Sequence, residues 1–256
     1  MGSAKDIRIE PISSADARRI VKRLHYSGKV ASNSQLHLGV FMGDRCGGAM
    51  QFGPSLDKRK IVGLVEGTPW NGFIELNRLA LADWLPRNSE SRALGVAMRM
   101  LRKSYPWLQW VVSFADATQC GDGTIYRAAG FVLTGIKVNK QMLNWNGRIV
   151  AKKTLDNENY PRPNGRYYSR VLIASGEAVP LPGFQLRYIY FLDPSARARL
   201  TVPEIPFSEI ARRGAAMYRG VARAPEASSD APADQAGEGG AAPTPALHKR
   251  RARSKP

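Results

Sequence analysis

The sequence predicts an α/β fold, with a mixed central sheet flanked by helices and a basic, β-rich C-terminal extension. Three observations predict it. From Asp6 to Val138, stretches of strand and helix periodicity interleave in the order β-α-β-β-β-α-β-α-β. Hydrophobic residues make up 43% of the 256, enough to bury one good-sized core. Beyond Val138 the periodicity loosens and basic residues mix with aromatic ones until a late alternating strand.

The elements follow in order. "DIRIEPI" alternates as a short strand, and "SSADARRIVKRLHY" follows as a helix capped by Ser13 or Ser14, with Ile20, Val21 and Leu24 on its apolar face. "LHLGVFMGDRCGGAMQFG" reads as two strands around the Gly43-Asp44 turn. "FIELNRLALA" is a longer apolar strand. In "RNSESRALGVAMRML", Asn88, Ser89 and Ser91 are candidate caps, and Ala93, Leu94, Ala97, Met98 and Leu101 make one apolar stripe. Pro106 ends that helix. "QWVVSFAD" is a buried strand, "GTIYRAAG" a short helix ended by Gly130, and "FVLTGIKV" another strand. Later, Phe184–Leu192 alternates as a strand and "EIARRGAAMYRGVAR" reads as a basic terminal helix. The expected organisation is a core over residues 1–138, a basic and aromatic extension over 139–223, and a disordered Ala/Pro/Gly-rich tail over 224–256.

Charge narrows the function. Lys and Arg number 38 against 21 for Asp and Glu, a net +17 with a pI of about 10.3, which favours a polyanionic partner such as nucleic acid. No apolar run reaches the roughly 20 residues of a membrane span, and "MGSAKDIRIE" lacks the apolar stretch of a signal peptide, so the expectation is a soluble protein of the cytoplasm. Cys46 and Cys120 are too few for a disulfide framework and lack metal-ligand spacing.

Arg92-Ala93-Leu94-Gly95-Val96-Ala97 fits R-x-x-G-x-A between an apolar strand and a helix. Free N–H groups at a helix start bind phosphates, and Gly95 has no side chain to block their approach. The strand order, this motif and the later Tyr126-x-x-x-Gly130-Phe131 resemble the Gcn5-related N-acetyltransferase superfamily. The resemblance implies that Ser91, Arg92, Ala93, Gly95 and Ala97 surround the pyrophosphate of an acyl-CoA, or of a related phosphate-bearing donor. It also implies that Tyr126 donates a proton to the leaving thiolate; a core tyrosine is the other reading.

A narrower resemblance rests on "LHYSGK", "ELNRLAL", "PRNSESRALG" and "SFADATQCGDGTIYRAAGF". These strings are similar to the Mom family of adenine-modification proteins of phage Mu and its relatives. That implies a phage or prophage protein, in a bacterial host cytoplasm, that places a carbamoylmethyl group on the exocyclic N6 of adenine in double-stranded DNA and so shields it from restriction. It further implies iron held by His25, Tyr26 and Asp116, with Asp122 as the rival carboxylate, and a catalytic set of His25, Tyr26, Asp116 and Tyr126. Adenine N6 is a poor nucleophile inside a stacked duplex, so the base must be flipped and its proton removed. Trp70, Trp84, Tyr26, Tyr160, Tyr167 and Tyr168 are candidates to stack on it, and Lys152, Lys153, Arg162, Arg166 and Tyr167 to contact the DNA backbone. Two rivals remain: an ordinary acyl-CoA-dependent N-acetyltransferase on a small amine or protein, and a DNA-binding protein without catalysis.

Overall fold

The computed structural model describes residues 2–118, 120–159, 163–218 and 221–222. The tail expectation for 224–256, and Tyr160 and Arg162, lie outside them.

Strand β1 (Ile7–Pro11) leads to helix α1 (Ser14–Leu24), whose first turn is capped by the Ser13 side chain accepting from Asp16 N–H. β2 (Leu36–Met42) and β3 (Arg45–Gly53) form the hairpin, with Gly43 at φ 56° supplying the left-handed turn. A short helix not foreseen in the sequence, α2 (Lys58–Val62), precedes β4 (Phe73–Leu81); five residues are too few to show a helical period. Then come α3 (Ser89–Ser104), β5 (Trp110–Asp116), α4 (Thr124–Ala128) and β6 (Val132–Val138). Next, β7 (Met142–Trp145), β8 (Arg148–Ala151), α5 (Lys152–Glu158), α6 (Tyr168–Ala174) and β9 (Ala178–Pro180) make a small module. The chain returns through β10 (Phe184–Phe191) and finishes with α7 (Ser208–Arg212), β11 (Met217–Tyr218) and β12 (Val221–Ala222). The expected terminal helix is therefore cut to five residues, because Gly214 takes φ 66° and ends it, and a two-stranded ribbon follows.

The central sheet has seven strands in the order β1-β2-β3-β4-β5-β10-β6. All its pairs are antiparallel except β4–β5, making it the mixed sheet expected. β10 thus reaches from beyond the module to sit between β5 and β6. The module's own sheet, β8-β7-β9, packs with α5 and α6 around Leu143, Leu155, Leu172 and Ala178. Its helices mean the extension is mixed α/β rather than simply β-rich.

One face of the sheet takes α3, whose Ala93, Leu94, Ala97, Met98 and Leu101 are each at most 1% exposed and meet Met50, Phe52, Val111 and Leu186. Burying each larger side chain there is worth about 1.5–3 kcal/mol. The opposite face takes α1, through Ala17, Ile20 and Val21 on Ala49 and Ala80, and a second cluster around Trp110, Val112 and Ile189. No helix among the described residues is long and apolar enough to cross a membrane.

One irregularity positions everything that follows. β4 and β5 pair only at Phe73–Trp110, Ile74–Val111 and Glu75–Val112. Beyond these rungs β4 stays with β3 and β5 stays with β10, so the sheet opens into a V. At the same place β4 bulges: Phe52 faces Leu76 and Gln51 faces Arg78, leaving Asn77 unpaired.

Candidate active site

The crotch of the V is polar. Glu75 sits at the last shared rung, and burial raises its carboxyl above the ordinary carboxylate range, partly offset by hydrogen bonds from Ser55 and Asn77. Arg78 follows the bulge; its Nε donates to Lys29 O at 2.9 Å and its Nη1 to Asn77 O at 2.6 Å. The sequence reading missed both residues, because "FIELNRLALA" scans as a plain apolar strand; two charges inside such a run were the available signal.

Tyr126 reaches the crotch from α4. It is 8% exposed, packed between Phe131 and Tyr188, with ring centroids 5.4 and 5.2 Å away. Burial pushes its phenol up to about 12, while the nearby Ser113 hydroxyl pulls the other way. The phenol is therefore protonated at neutral pH, as a proton donor must be. Asp116 ends β5, and its Oδ1 accepts from Thr118 N–H at 3.0 Å and from the Asn139 amide at 3.1 Å. Gly183 is needed beside it, because a Cβ there would collide with the Thr118 side chain.

His25 and Tyr26 follow α1, their rings 4.2 Å apart. Tyr26 is 49% exposed, yet crowding by surrounding protein raises its phenol above the ordinary value, and Asp116, Cys120 and Tyr126 raise it further. Asp116, Cys120, Tyr126 and Arg78 thus each lie within electrostatic reach of the Tyr26 phenol. At His25, burial lowers the pKa to about 4, and Arg78 adds to the shift. The imidazole is neutral, so it caps α1 through its backbone N–H to Val21 O rather than as a cation on the helix dipole.

The metal expectation fits poorly. The Ser27 N–H donates to His25 Nδ1 at 3.2 Å, with the Ser27 hydroxyl 2.8 Å from the same nitrogen. Nδ1 is thus engaged by Ser27, whose hydroxyl donates to it or accepts from it according to the tautomer of the ring. One Asp116 oxygen already has two donors. Among the described residues no group of three or more His, Cys, Asp and Glu could hold a metal ion. The structure gives no support to an iron centre at His25, Tyr26 and Asp116. Asp122 does not replace Asp116: it accepts from Thr124 and lies 3.5 Å from Arg127, fastening the start of α4.

The R-x-x-G-x-A motif is displaced from its expected place. α3 starts at Ser89, so the motif lies inside the helix. Ala93 and Ala97 are wholly buried in the core, Gly95 is in the second turn with only Arg99 near its open side, and Arg92 is exposed. The unshared N–H groups of a helix belong to its first turn. Here they are those of Glu90 and Ser91, for which no acceptor is found among the described residues. Asn88 occupies the N-cap at φ 69° but makes no side-chain cap, and the Ser89 and Ser91 hydroxyls donate to the carbonyls of Pro86 and Asn88 instead. The capping expectation is thus corrected, and the helix mouth is left open. It faces a cavity of about 360 Å³ lined by Arg87, Ser89, Glu90 and Ser91 on one side and Thr124, Ile125 and Ala128 on the other. Glu90 brings a carboxylate to this cavity, which an anionic ligand must avoid.

Of the expected DNA contacts, Lys153, Arg166 and Tyr167 are exposed and Lys152 is half-buried at the start of α5. The Lys29 ammonium donates to Thr154 Oγ1 at 2.6 Å, which ties this helix to the loop after Tyr26. Tyr168 instead packs edge-on against Trp145 within the module. Trp70 and Trp84 are each covered by a cation, Lys58 and Arg45 respectively.

The model of the Mom protein family matches residues 6–209. A relative from Escherichia phage Mu, named methylcarbamoylase mom, is 38% identical over 199 residues, covering 77% of this chain and 80% of that one. Solved structures with some likeness include a Bacillus subtilis acetyltransferase in complex with CoA, at 10% identity and a TM-score of 0.41, covering 72% of this chain and 98% of that one. Another is a GNAT family acetyltransferase from Elizabethkingia anophelis with acetyl-CoA bound, at 12% identity and a TM-score of 0.39, covering 73% and 98%.

Proposed function

The chain belongs to the Mom protein family, and from that membership we propose that it adds a carbamoylmethyl group to the exocyclic N6 amine of adenine in double-stranded DNA, protecting phage DNA from restriction. The observation that carries this reading is the meeting of Tyr26, Asp116 and Tyr126 where β4 and β5 part, between an open helix mouth and a basic module.

The chemistry asks for a base, a proton donor and a held electrophile. Asp116 takes the N6 proton as the nitrogen attacks, and the Asn139 and Thr118 donors keep its carboxylate aimed. The attacked atom is an sp3 methylene, since carbamoylmethyl joins N6 through carbon that is not a carbonyl. One N–C bond forms, the bond from that carbon to the leaving group breaks, and the leaving group departs with the electron pair. Tyr126, kept protonated by burial, supplies its proton. Simple acyl transfer from coenzyme A would leave an N-acyl product instead. The donor therefore reacts at an acetamido methylene and not at the acyl carbon of a thioester. Phosphates of such a donor would be held by the Glu90 and Ser91 amides, with Arg87 lining the same cavity and Arg92 one turn further along α3.

Lys152, Lys153, Arg166 and Tyr167 present the backbone contact, tied by Lys29 to the Tyr26 loop. Nucleoside analysis of DNA from cells expressing the chain tests the reading. Acetyl-CoA turnover on a small amine, with no change in DNA, would favour an ordinary acetyltransferase.

A further inference from the structure

On the sheet face opposite α3, a second cavity of about 420 Å³ lies between α2 and strands β5, β10 and β6. It falls within the roughly 300–1,000 Å³ range of small-molecule sites. Its floor is drawn from two rungs of the sheet that share a face, Phe114–Arg187–Gly135 and Gln185–Lys137, with the Ala115–Leu186–Ile136 rung between them facing the other way. Directly opposed residues have Cβ atoms about 4.5–5.5 Å apart, so Gln185 stands beside Asp116, and Phe114 lies two rungs along on the same face. The cavity lining thus includes Gln185, the cross-strand neighbour of the carboxylate assigned as base.

Its chemistry is specific. Phe114 offers a flat, partly buried ring, with Ile61 of α2 across the opening. Arg187 is half-buried, its Nε and Nη2 donating to Thr134 Oγ1 and O at 3.0 and 2.7 Å. Burial lowers its pKa, and no carboxylate contributes to the shift. A desolvated guanidinium whose bonds go to a hydroxyl and a carbonyl is suited to an anionic ligand. Lys137 and Lys60 add exposed cations at the rim, Lys60 being paired at 2.7 Å with Asp57, the one carboxylate of the lining. Gln185 carries the carboxamide that pairs with the adenine edge at N6 and N7.

We propose that this cavity receives the extruded adenine nucleotide, with Phe114 as its stacking platform, Gln185 as the reader of the base edge, and Arg187 with Lys137 as the anchor for its phosphate. The assignment rests on the proposed adenine modification, and it places the N6 amine at Asp116, on the side of the sheet away from the α3 mouth that holds the donor.

The test is photolabelling of the full chain with 8-azido-2′-deoxyadenosine 5′-monophosphate, in saturating coenzyme A so that the α3 cavity is filled. Label is expected on peptides containing Phe114, Lys137 or Arg187. Two variants should lower it while leaving the melting temperature and duplex retention near those of the parent chain. Gly135→Leu fills the cavity from a backbone position with no positive φ, where an added Cβ meets Arg187 at ordinary contact distance. Phe114→Leu keeps the apolar packing but removes the stacking face, a loss of about tenfold. Label confined to the Thr124–Ala128 side, no label at all, or equal label in Gly135→Leu would overturn the assignment. Failure of the parent chain to modify DNA would instead overturn the activity, whatever the label shows. A chain that modifies DNA equally well with Gly135→Leu keeps the activity and loses this pocket.

Discussion

The neutral His25 gives a prediction whose size follows from its surroundings. Burial and the nearby Arg78 lower its pKa from 6.5 to about 4 in the folded chain. In the unfolded chain it titrates near 6.5. The folded state therefore binds fewer protons than the unfolded state between these values. Stability contributed by the neutral ring is present above pH 6.5 and is lost as the pH falls towards 4. A shift of 2.5 units corresponds to about 3 kcal/mol at most; solvent reaching the partly exposed ring reduces this to about 2 kcal/mol. His25→Gln removes the titration while its amide oxygen can still accept the Ser27 N–H. Urea unfolding of both chains at pH 7.5, 6, 5 and 4.5 should show the parent losing about 2 kcal/mol more than the variant across that range. The lowered His37 is common to both chains and cancels. Parallel stability curves, or a His25 ring resonance titrating near 6.5, would refute the buried neutral imidazole.

Three further outcomes follow. Tyr126→Phe should cut turnover by about 10²–10⁴-fold, measured as modified nucleoside per hour, while stability changes by about 1 kcal/mol; unchanged turnover would make Tyr126 a core residue only. Asp116→Asn should abolish modification yet leave duplex affinity within about twofold in a gel-shift titration, because the carboxylate touches the reacting amine and not phosphates. Replacing Lys152, Lys153 and Arg166 by Gln together should lower the slope of log K against log salt by about 0.9 for each phosphate no longer neutralised, and an unchanged slope would move the DNA-binding surface elsewhere.

Much of the fold was legible because its core strands carry strong patterns: "WVVSFAD" and "FQLRYIYF" occupy neighbouring strands as their apolar runs imply. What periodicity could not reveal is where pairing stops. The parting of β4 and β5 after Glu75 and the bulge at Asn77 depend on partners distant in sequence, so Glu75 and Arg78 read as interruptions of a strand rather than as a site. The R-x-x-G-x-A motif pointed to the right helix but the wrong turn, because Pro86 and the left-handed Asn88 start α3 early and draw Ala93 and Ala97 into the core. The convergence of Tyr26, Asp116 and Tyr126 followed from strings similar to a known family, with no short-range signal joining them. The adenine cavity on the opposite face was invisible, since Phe114, Gly135 and Arg187 meet only through strand order.

The most direct test of the central claim is mass spectrometry of nucleosides from the DNA of bacteria expressing this chain, beside an Asp116→Asn control. The account predicts a new deoxyadenosine derivative heavier by about 57 mass units, the increment for replacing one hydrogen by carbamoylmethyl, present with the parent chain and missing with the control. Unmodified deoxyadenosine in cells that hold the folded protein, or an N-acetyl increment in place of the carbamoylmethyl one, would contradict it.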